Sequence, residues 1–352
     1  MALPDTVYAQ VKVGRVYVPY VTSISVKSVV NKSRMITLKV ADDEGLAQFR
    51  LGAPIEIDVG MGTNSWINFS GQIRIVQPGN PTTIVATDYI HNLRTSEYIY
   101  KRQQDHIFSD LYYAAKDACD ITEIDITRLT TGSNITTTPD MPLWGWQTRK
   151  NFLDSCVSLM VEPIDDTDHP ENTYLPWYYA IHYDNVIDLF QPDHLRGNPS
   201  SIVTVSEERH NLVNESLVSS INTDKVINSC TVISNSDETI YYTYEDTDSI
   251  QKYGEISKLI KWDSIDRNVL YEVARRNVER FKTPTASYSV DVIMNEWLPL
   301  GSLIKLETGD RSEVLPLVES TLSIDNGVKT SLVVGEPRIS FAELTRLLLE
   351  EI

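Results

Sequence analysis

Cysteine is scarce, with only Cys119, Cys156 and Cys230 in 352 residues. None stands in a CxxC pair or beside two histidines, so neither a disulfide framework nor a zinc site is legible. The three are expected to be small buried hydrophobes in a reducing compartment. Long apolar runs are missing too, and none approaches the roughly 20 residues needed to cross a bilayer. The opening MALPDTVYAQ has neither a basic start nor an apolar stretch. No secretory signal or lipidation motif is therefore expected, and the protein should stay where it is made or leave by lysis.

Basic residues are outnumbered, 31 Lys plus Arg against 49 Asp plus Glu, for a formal charge of -18. The excess is uneven: residues 1–90 carry eight basic and seven acidic side chains, 91–204 carry eight and 17, and 205–352 carry 15 and 25. A nucleic-acid reader needs clustered Lys and Arg, so specific nucleic-acid binding is not expected. The surplus suits a surface that nucleic acid must pass without sticking.

Catalytic signatures are also lacking. GxSxG, GxxxxGKS/T and GxGxxG are absent, and Gly60-Met61-Gly62 reads as a turn. The six histidines, at 91, 106, 169, 182, 194 and 210, form no HExxH or i, i+4 pair, although His182 with Asp184, and Asp193 with His194, could meet in space. The loop from Glu162 to Glu171 packs five acidic residues and His169 into ten positions, but Pro163 and Pro170 and the lack of glycine do not fit an EF-hand. It reads as a solvated acidic loop, with a metal site as the alternative. No cofactor and no metal are expected.

What is present is a folded composition, 41% hydrophobic and 23% charged, in a chain long enough for two or three cores. Residues 1–93 read as short β-branched strands at Val7 to Val13, Tyr17 to Ser25, Met35 to Val40, Ile55 to Val59, Ile67 to Val76 and Thr83 to Asp88. This spacing suggests a small barrel or sandwich. From about 95 the period changes. Ile107, Leu111, Ala115, Ala118 and Cys119 share a helix face that Asp105 can cap, and Phe152, Leu153, Cys156, Leu159 and Met160 form another that Pro163 should stop. With probable strands at Tyr178 to Tyr183 and Val186 to Phe190, residues 94–201 read as a mixed middle domain. Trp144, Trp146, Trp177, Tyr178 and Tyr179 either fill its core and subunit contacts or stack sugars or bases.

Residues 202–337 return to strands, interrupted by a helix over 266–282 that Asp263 or Ser264 can cap and Pro284 bounds. Leu270, Val273, Ala274, Val278 and Phe281 form its stripe. Residues 338–352 are expected to be a short helix, because Ser340-Phe341-Ala342-Glu343 matches a capping box. Phe341, Leu344, Leu347 and Leu348 would line one face, and so short a helix must bury that face on its own barrel or on a partner.

A faint internal repeat spans the chain. Leu51-Gly52-Ala53-Pro54-Ile55-Glu56-Ile57-Asp58-Val59-Gly60 aligns with Leu300-Gly301-Ser302-Leu303-Ile304-Lys305-Leu306-Glu307-Thr308-Gly309. Kept without a gap, the alignment pairs Ile73 with Leu322 and Ile75 with Ile324; one deletion then pairs Thr82-Thr83-Ile84-Val85 with Thr330-Ser331-Leu332-Val333. A chain with two similar barrels can, as a trimer, present six similar units in a ring.

The opening barrel, with Ile24-Ser25-Val26, Arg34 to Val40 and Gly52 to Ile57, resembles the baseplate hub proteins of phage tails and related contractile injection systems. So do Tyr253-Gly254-Glu255-Ile256, the following helix, Pro299 to Ile304 and the closing hairpin. The resemblance implies a mainly β, α+β fold with two tail-tube-like barrels flanking the middle domain. It also implies a non-enzymatic structural homotrimer forming a pseudo-sixfold ring between a sixfold tail tube and a threefold central spike, with a channel for DNA or a tape-measure protein. Baseplate wedge proteins would be further partners, with no membrane contact and a place in the virion tail after assembly in the host cytoplasm. Phe341, Leu344, Leu347 and Leu348 would then be partner-binding. The rival classes are a tail-associated peptidoglycan hydrolase using middle-domain carboxylates and a sugar-binding module using Trp144, Trp146 and Trp177.

Overall fold

The computed structural model describes residues 7–41, 49–61, 64–94, 111–129, 148–159, 161–163, 174–181, 185–190, 202–206, 209, 211–213, 216–222, 226–262, 264–293, 298–308, 311–325 and 327–335. Seven strands open the chain: β1 (Val7–Val13), β2 (Val16–Tyr17), β3 (Val21–Val29), β4 (Met35–Val40), β5 (Pro54–Met61), β6 (Asn64–Gln77) and β7 (Thr82–Thr87). Their alternation decides which face is buried. In β4, Ile36, Leu38 and Val40 face the core while Met35 and Lys39 are exposed. The single strand expected from Tyr17 to Ser25 is instead broken, because Tyr20 takes a φ of 56°, which no strand residue adopts.

The middle elements are a 3-10 helix (Tyr89–Arg94), α1 (Leu111–Cys119), α2 (Arg149–Leu159), β8 (Val161–Pro163), β9 (Tyr174–Pro176), β10 (Tyr178–Ile181) and β11 (Ile187–Phe190). Pro163 does not stop α2 directly. The helix has already ended at Leu159, and Pro163 closes a short strand opposite Tyr174. Asp105, Trp144, Trp146 and the acidic loop from Ile164 to Pro170 lie outside the described residues.

There follow β12 (Val203–Ser206), β13 (Val218–Asn222), β14 (Ser229–Ser234), β15 (Tyr241–Glu245), α3 (Thr247–Tyr253), β16 (Ser257–Trp262), α4 (Arg267–Phe281), β17 (Thr285–Val292), β18 (Leu303–Thr308), β19 (Arg311–Ile324) and β20 (Val328–Gly335). The cap of α4 is Asp266, whose carboxylate accepts the Asn268 amide at 2.8 Å; Ser264 accepts the Asp266 amide instead. Helix α3 was not legible as apolar periodicity. Asp246 caps it by accepting the Ser249 amide at 2.8 Å, and Gly254 at φ 80° ends it.

Thirteen strands form one sheet in the order β13-β17-β20-β19-β3-β4-β7-β6-β5-β1-β2, with β12 and β18 branching from β19. Among the described strands it does not close into a barrel. The two halves are instead joined edge to edge, because β19 outruns its partner β18 and β3 takes the remaining edge from Glu319 to Ile324.

Three cores sit in this frame. The first half encloses Ile36, Leu38, Ile57, Phe69, Ile73 and Ile84, and the second encloses Val290, Ile304, Leu317 and Val334. The third gathers α1 and α2 with β14 and α4, through Ala115, Phe152, Cys156, Cys230, Val232, Leu270 and Val273. The helix expected as an insert in the second barrel therefore buries its stripe against β14 and β15, in the core those strands share with the middle helices. Strand β10 lies between two of the cores: Tyr178 and Ala180 face the second half, while Tyr179 and Ile181 face the helices. A strand buried on both faces shows no alternation, which is how Trp177-Tyr178-Tyr179 came to read as an aromatic run.

Candidate assembly surfaces

The repeat is visible in backbone hydrogen bonds. Gly52 donates to the Ile73 carbonyl at 2.8 Å, Ile73 returns a bond to Ala53 at 3.0 Å, and Ala53 donates to Arg50 at 3.0 Å. In the second half Gly301 donates to Leu317 at 2.8 Å, Leu317 returns one to Ser302 at 2.8 Å, and Ser302 donates to Pro299 at 3.2 Å. Both glycines take left-handed φ values, 80° and 85°. The strand order matches as well: β4-β7-β6-β5 and β17-β20-β19-β18 are both antiparallel throughout.

One part of the sequence alignment needs correction. Ile73 corresponds to Leu317, not Leu322, and Ile75 corresponds to Glu319, not Ile324, because the bulge between Ile73 and Ile75 opposite Ala86 and Val85 recurs between Leu317 and Glu319 opposite Val334 and Val333. The gap falls in the hairpin turn, where Ile55 faces Gly71 but Ile304 faces Leu315, so the second hairpin is shorter. The later pairing of Val85 with Val333 agrees with the structure.

The joint between the halves is a six-residue antiparallel ladder, from Glu319 opposite Val29 to Ile324 opposite Ile24. Lys27 and Glu319 bridge it at 2.7 Å, and the Ser25 and Ser323 hydroxyls meet at 3.3 Å. The Leu51 and Leu300 turns differ in what covers them. Phe190 of β11 lies against Gly301, and Leu300 is buried in the second core. Leu51 is 70% exposed, and nothing lies within 4 Å of a Cβ placed on Gly52.

A polar clamp ties the middle elements to this joint. Asn31, at φ 60° in the β3–β4 turn, donates its amide to the Tyr179 carbonyl at 2.8 Å and accepts the Tyr179 amide on its side chain at 2.9 Å. The Tyr179 phenol lies 2.6 Å from the Asn31 carbonyl and 2.7 Å from Asp154 Oδ1, and its one proton serves both. Lys150 reaches both Asp154 oxygens at 2.6 Å. Burial lowers the Lys150 pKa against the pull of Asp154, and burial followed by Asp154 raises that of Tyr179 well above its ordinary value.

The residues singled out in the sequence fare differently. Phe341, Leu344, Leu347 and Leu348 lie outside the described residues, as do Tyr183 and every histidine but His91. Trp177, Tyr178 and Tyr179 are buried and present no ring face to a sugar. Among the described residues no group of three His, Cys, Asp or Glu side chains could hold a metal. His91 lies within the 3-10 helix, its pKa lowered by burial and then by Arg74 and Arg94. What sequence reading missed was the clamp, whose members are spread across 148 residues and share no periodicity.

No family model matches the chain, and no curated protein does. Solved structures do match. A tail protein from Neisseria meningitidis superposes with a TM-score of 0.64 at 13% identity, covering 94% of this chain and 96% of that one. The 43 kDa tail protein of prophage MuSo2 from Shewanella oneidensis gives 0.62 at 12% identity, covering 94% and 98%. The chain has the fold of phage tail proteins. Prophage tail protein gp18 from Listeria monocytogenes matches less closely, at 0.51 and 11% identity over 97% and 98% of the two chains. The likeness covers 94% or more of this chain in each case. At such low identity the likeness is one of fold.

Proposed function

We propose that the chain is a structural hub of a phage-type tail baseplate, a homotrimer whose duplicated halves supply a pseudo-sixfold ring between a sixfold tube and a threefold spike. The observation that carries the reading is the internal duplication, seen in the paired Gly52–Ile73 and Gly301–Leu317 bonds, within a fold that matches tail proteins over 94% of the chain. Two equivalent units per chain let a threefold object imitate a sixfold one. The excess of acidic residues would keep a central passage from retaining nucleic acid, and a tape-measure protein would end nearby. The barrel character of each half would be completed in the ring, since the sheet is open in one chain.

The hub would work in the virion tail after assembly in the host cytoplasm, with baseplate wedge proteins around it and without enzymatic activity. Residues 338–352, with Phe341, Leu344, Leu347 and Leu348 on one face, would dock on the spike. Native mass spectrometry tests the oligomer: a mass of three times 39.9 kDa is expected, and a monomer at all concentrations overturns it. Removing residues 338–352 should leave the trimer and abolish spike retention in a pull-down; unchanged retention refutes the docking role. A muralytic assay on the purified chain should be blank.

A further inference from the structure

The joint between β3 and β19 has a counterpart inside the same chain that no described strand fills. The bulges place Glu319, Ser320 and Thr321 of β19 on Ile75, Val76 and Gln77 of β6. Each set pairs its hairpin neighbour on one edge, Val333, Leu332 and Ser331 in β20 or Val85, Ile84 and Thr83 in β7. On the other edge Glu319, Ser320 and Thr321 meet Val29, Ser28 and Lys27 of β3. The pairing of β5 with β6 stops at Gln72, with two further loop bonds at Ile73, so among the described strands nothing adds to Ile75–Gln77 on that side.

The strand that would match β3 is β13. It flanks β17 as β3 flanks β4: Ser219 faces Tyr288 where Val26 faces Ile36. Strand β13 ends the order of the sheet, and both β13 and the far part of β6 are edges of the kind that accept another strand. Ile75 is 46% exposed, whereas Glu319 in its place is covered by Lys27.

We propose that β13 of one copy of the chain pairs with the β6 edge of a second copy, in the register that β3 and β19 already use. Ile75 then lies opposite Asn222 of the partner subunit, Val76 opposite Ile221 of the partner subunit, and Gln77 opposite Ser220 of the partner subunit. The ladder stops there because Pro78, in the place of Leu322, has no amide to donate. The two edges differ, so the contact is head to tail and can close only as a ring, in which internal and intersubunit joints alternate. The proposal rests on the trimeric reading and names the seam that would build it.

The test places cysteines at the facing positions of the full chain, Gln77→Cys with Ser220→Cys, followed by mild oxidation and mass measurement under native and denaturing conditions. A covalent trimer released by reductant is expected, with no cross-link from either single variant. The pair Ile75→Cys with Asn222→Cys repeats the test in case the first variant folds poorly. A native trimer that neither pair cross-links overturns the seam and leaves the trimeric reading standing. A covalent ladder running past three copies supports the seam and overturns the trimer, and a monomer that never cross-links overturns both.

Discussion

Leu51 and Leu300 occupy the same position in the two halves of the chain, each one residue before a left-handed glycine, yet Leu300 is 3% exposed and Leu51 is 70% exposed. The difference is Phe190. The β10–β11 hairpin covers one turn and leaves its twin open, so a duplicated sequence carries one filled and one unfilled surface.

Truncating the two leucines should therefore separate stability from assembly. Leu300→Ala is expected to cost about 2–4 kcal/mol, as core leucines do, while Leu51→Ala should stay within about 0.5 kcal/mol. Urea denaturation of both variants measures this, and equal costs would contradict the asymmetry.

The glycines beside them give a second contrast. A Cβ at Gly301 would stand 2.5 Å from Phe190 Cε2, and its φ of 85° is already hostile to alanine; Gly52 at 80° has open space. Gly52→Ala should cost about 1 kcal/mol from backbone strain alone, and Gly301→Ala roughly 2 kcal/mol more from the clash.

Acid should strengthen one site. Asp88 is buried and accepts the Arg34 and Ile90 amides at 2.8 and 3.2 Å, with the Arg34 guanidinium 3.6 Å away. Burial pushes its carboxyl up to about 6, against Arg34 and those amides. In the unfolded chain an aspartate titrates near 4, so between these values the folded state holds a proton that the unfolded state lacks. This group's contribution is fully present below the unfolded pKa and is lost as pH rises through about 6, worth about 3 kcal/mol at most. Asp246 and Asp291 titrate below their ordinary value despite burial, Asp246 held by the Ser249 amide and Lys282 and Asp291 by Lys329 and Ser331; they act only at lower pH and with opposite sign. Urea midpoints should rise between pH 7 and pH 5, and Asp88→Asn should flatten that slope. Asp88→Ala, which removes the buried carboxyl beside the Arg34 guanidinium, should cost about 3–5 kcal/mol.

The three thiols should be silent in the native protein. Burial raises all of them, Cys119 to about 12 and Cys230 to about 11, with Cys156 well above its ordinary value. Iodoacetamide at pH 8 should label none until denaturant exposes them. Labelling at the rate of a free thiol would place a cysteine at the surface.

Breaking the clamp should loosen the middle helices before the sheet. Tyr179→Phe removes the proton shared by Asn31 and Asp154 and is expected to cost about 1–3 kcal/mol. Hydrogen exchange should quicken in α2 while β6 and β7 stay protected.

Most strands and their buried faces are legible from alternation alone. Alternation in Met35–Val40, the apolar stripe through Leu270 and Val273, and the glycine turns at 52 and 301 are local patterns, and local backbone geometry turns them directly into elements. The sequence also carried the duplication, although not the hairpin gap, because turn length is set by pairing register and two hairpins of unequal length look alike until their partners are known.

Which face meets which is set at long range. That β3 joins β19, that α4 shares a core with α1 and α2, that Phe190 seals Leu300 and leaves Leu51 open, and that Asn31, Asp154 and Tyr179 meet are long-range contacts. They depend on the closure of the whole chain, and no periodicity within a short window encodes them.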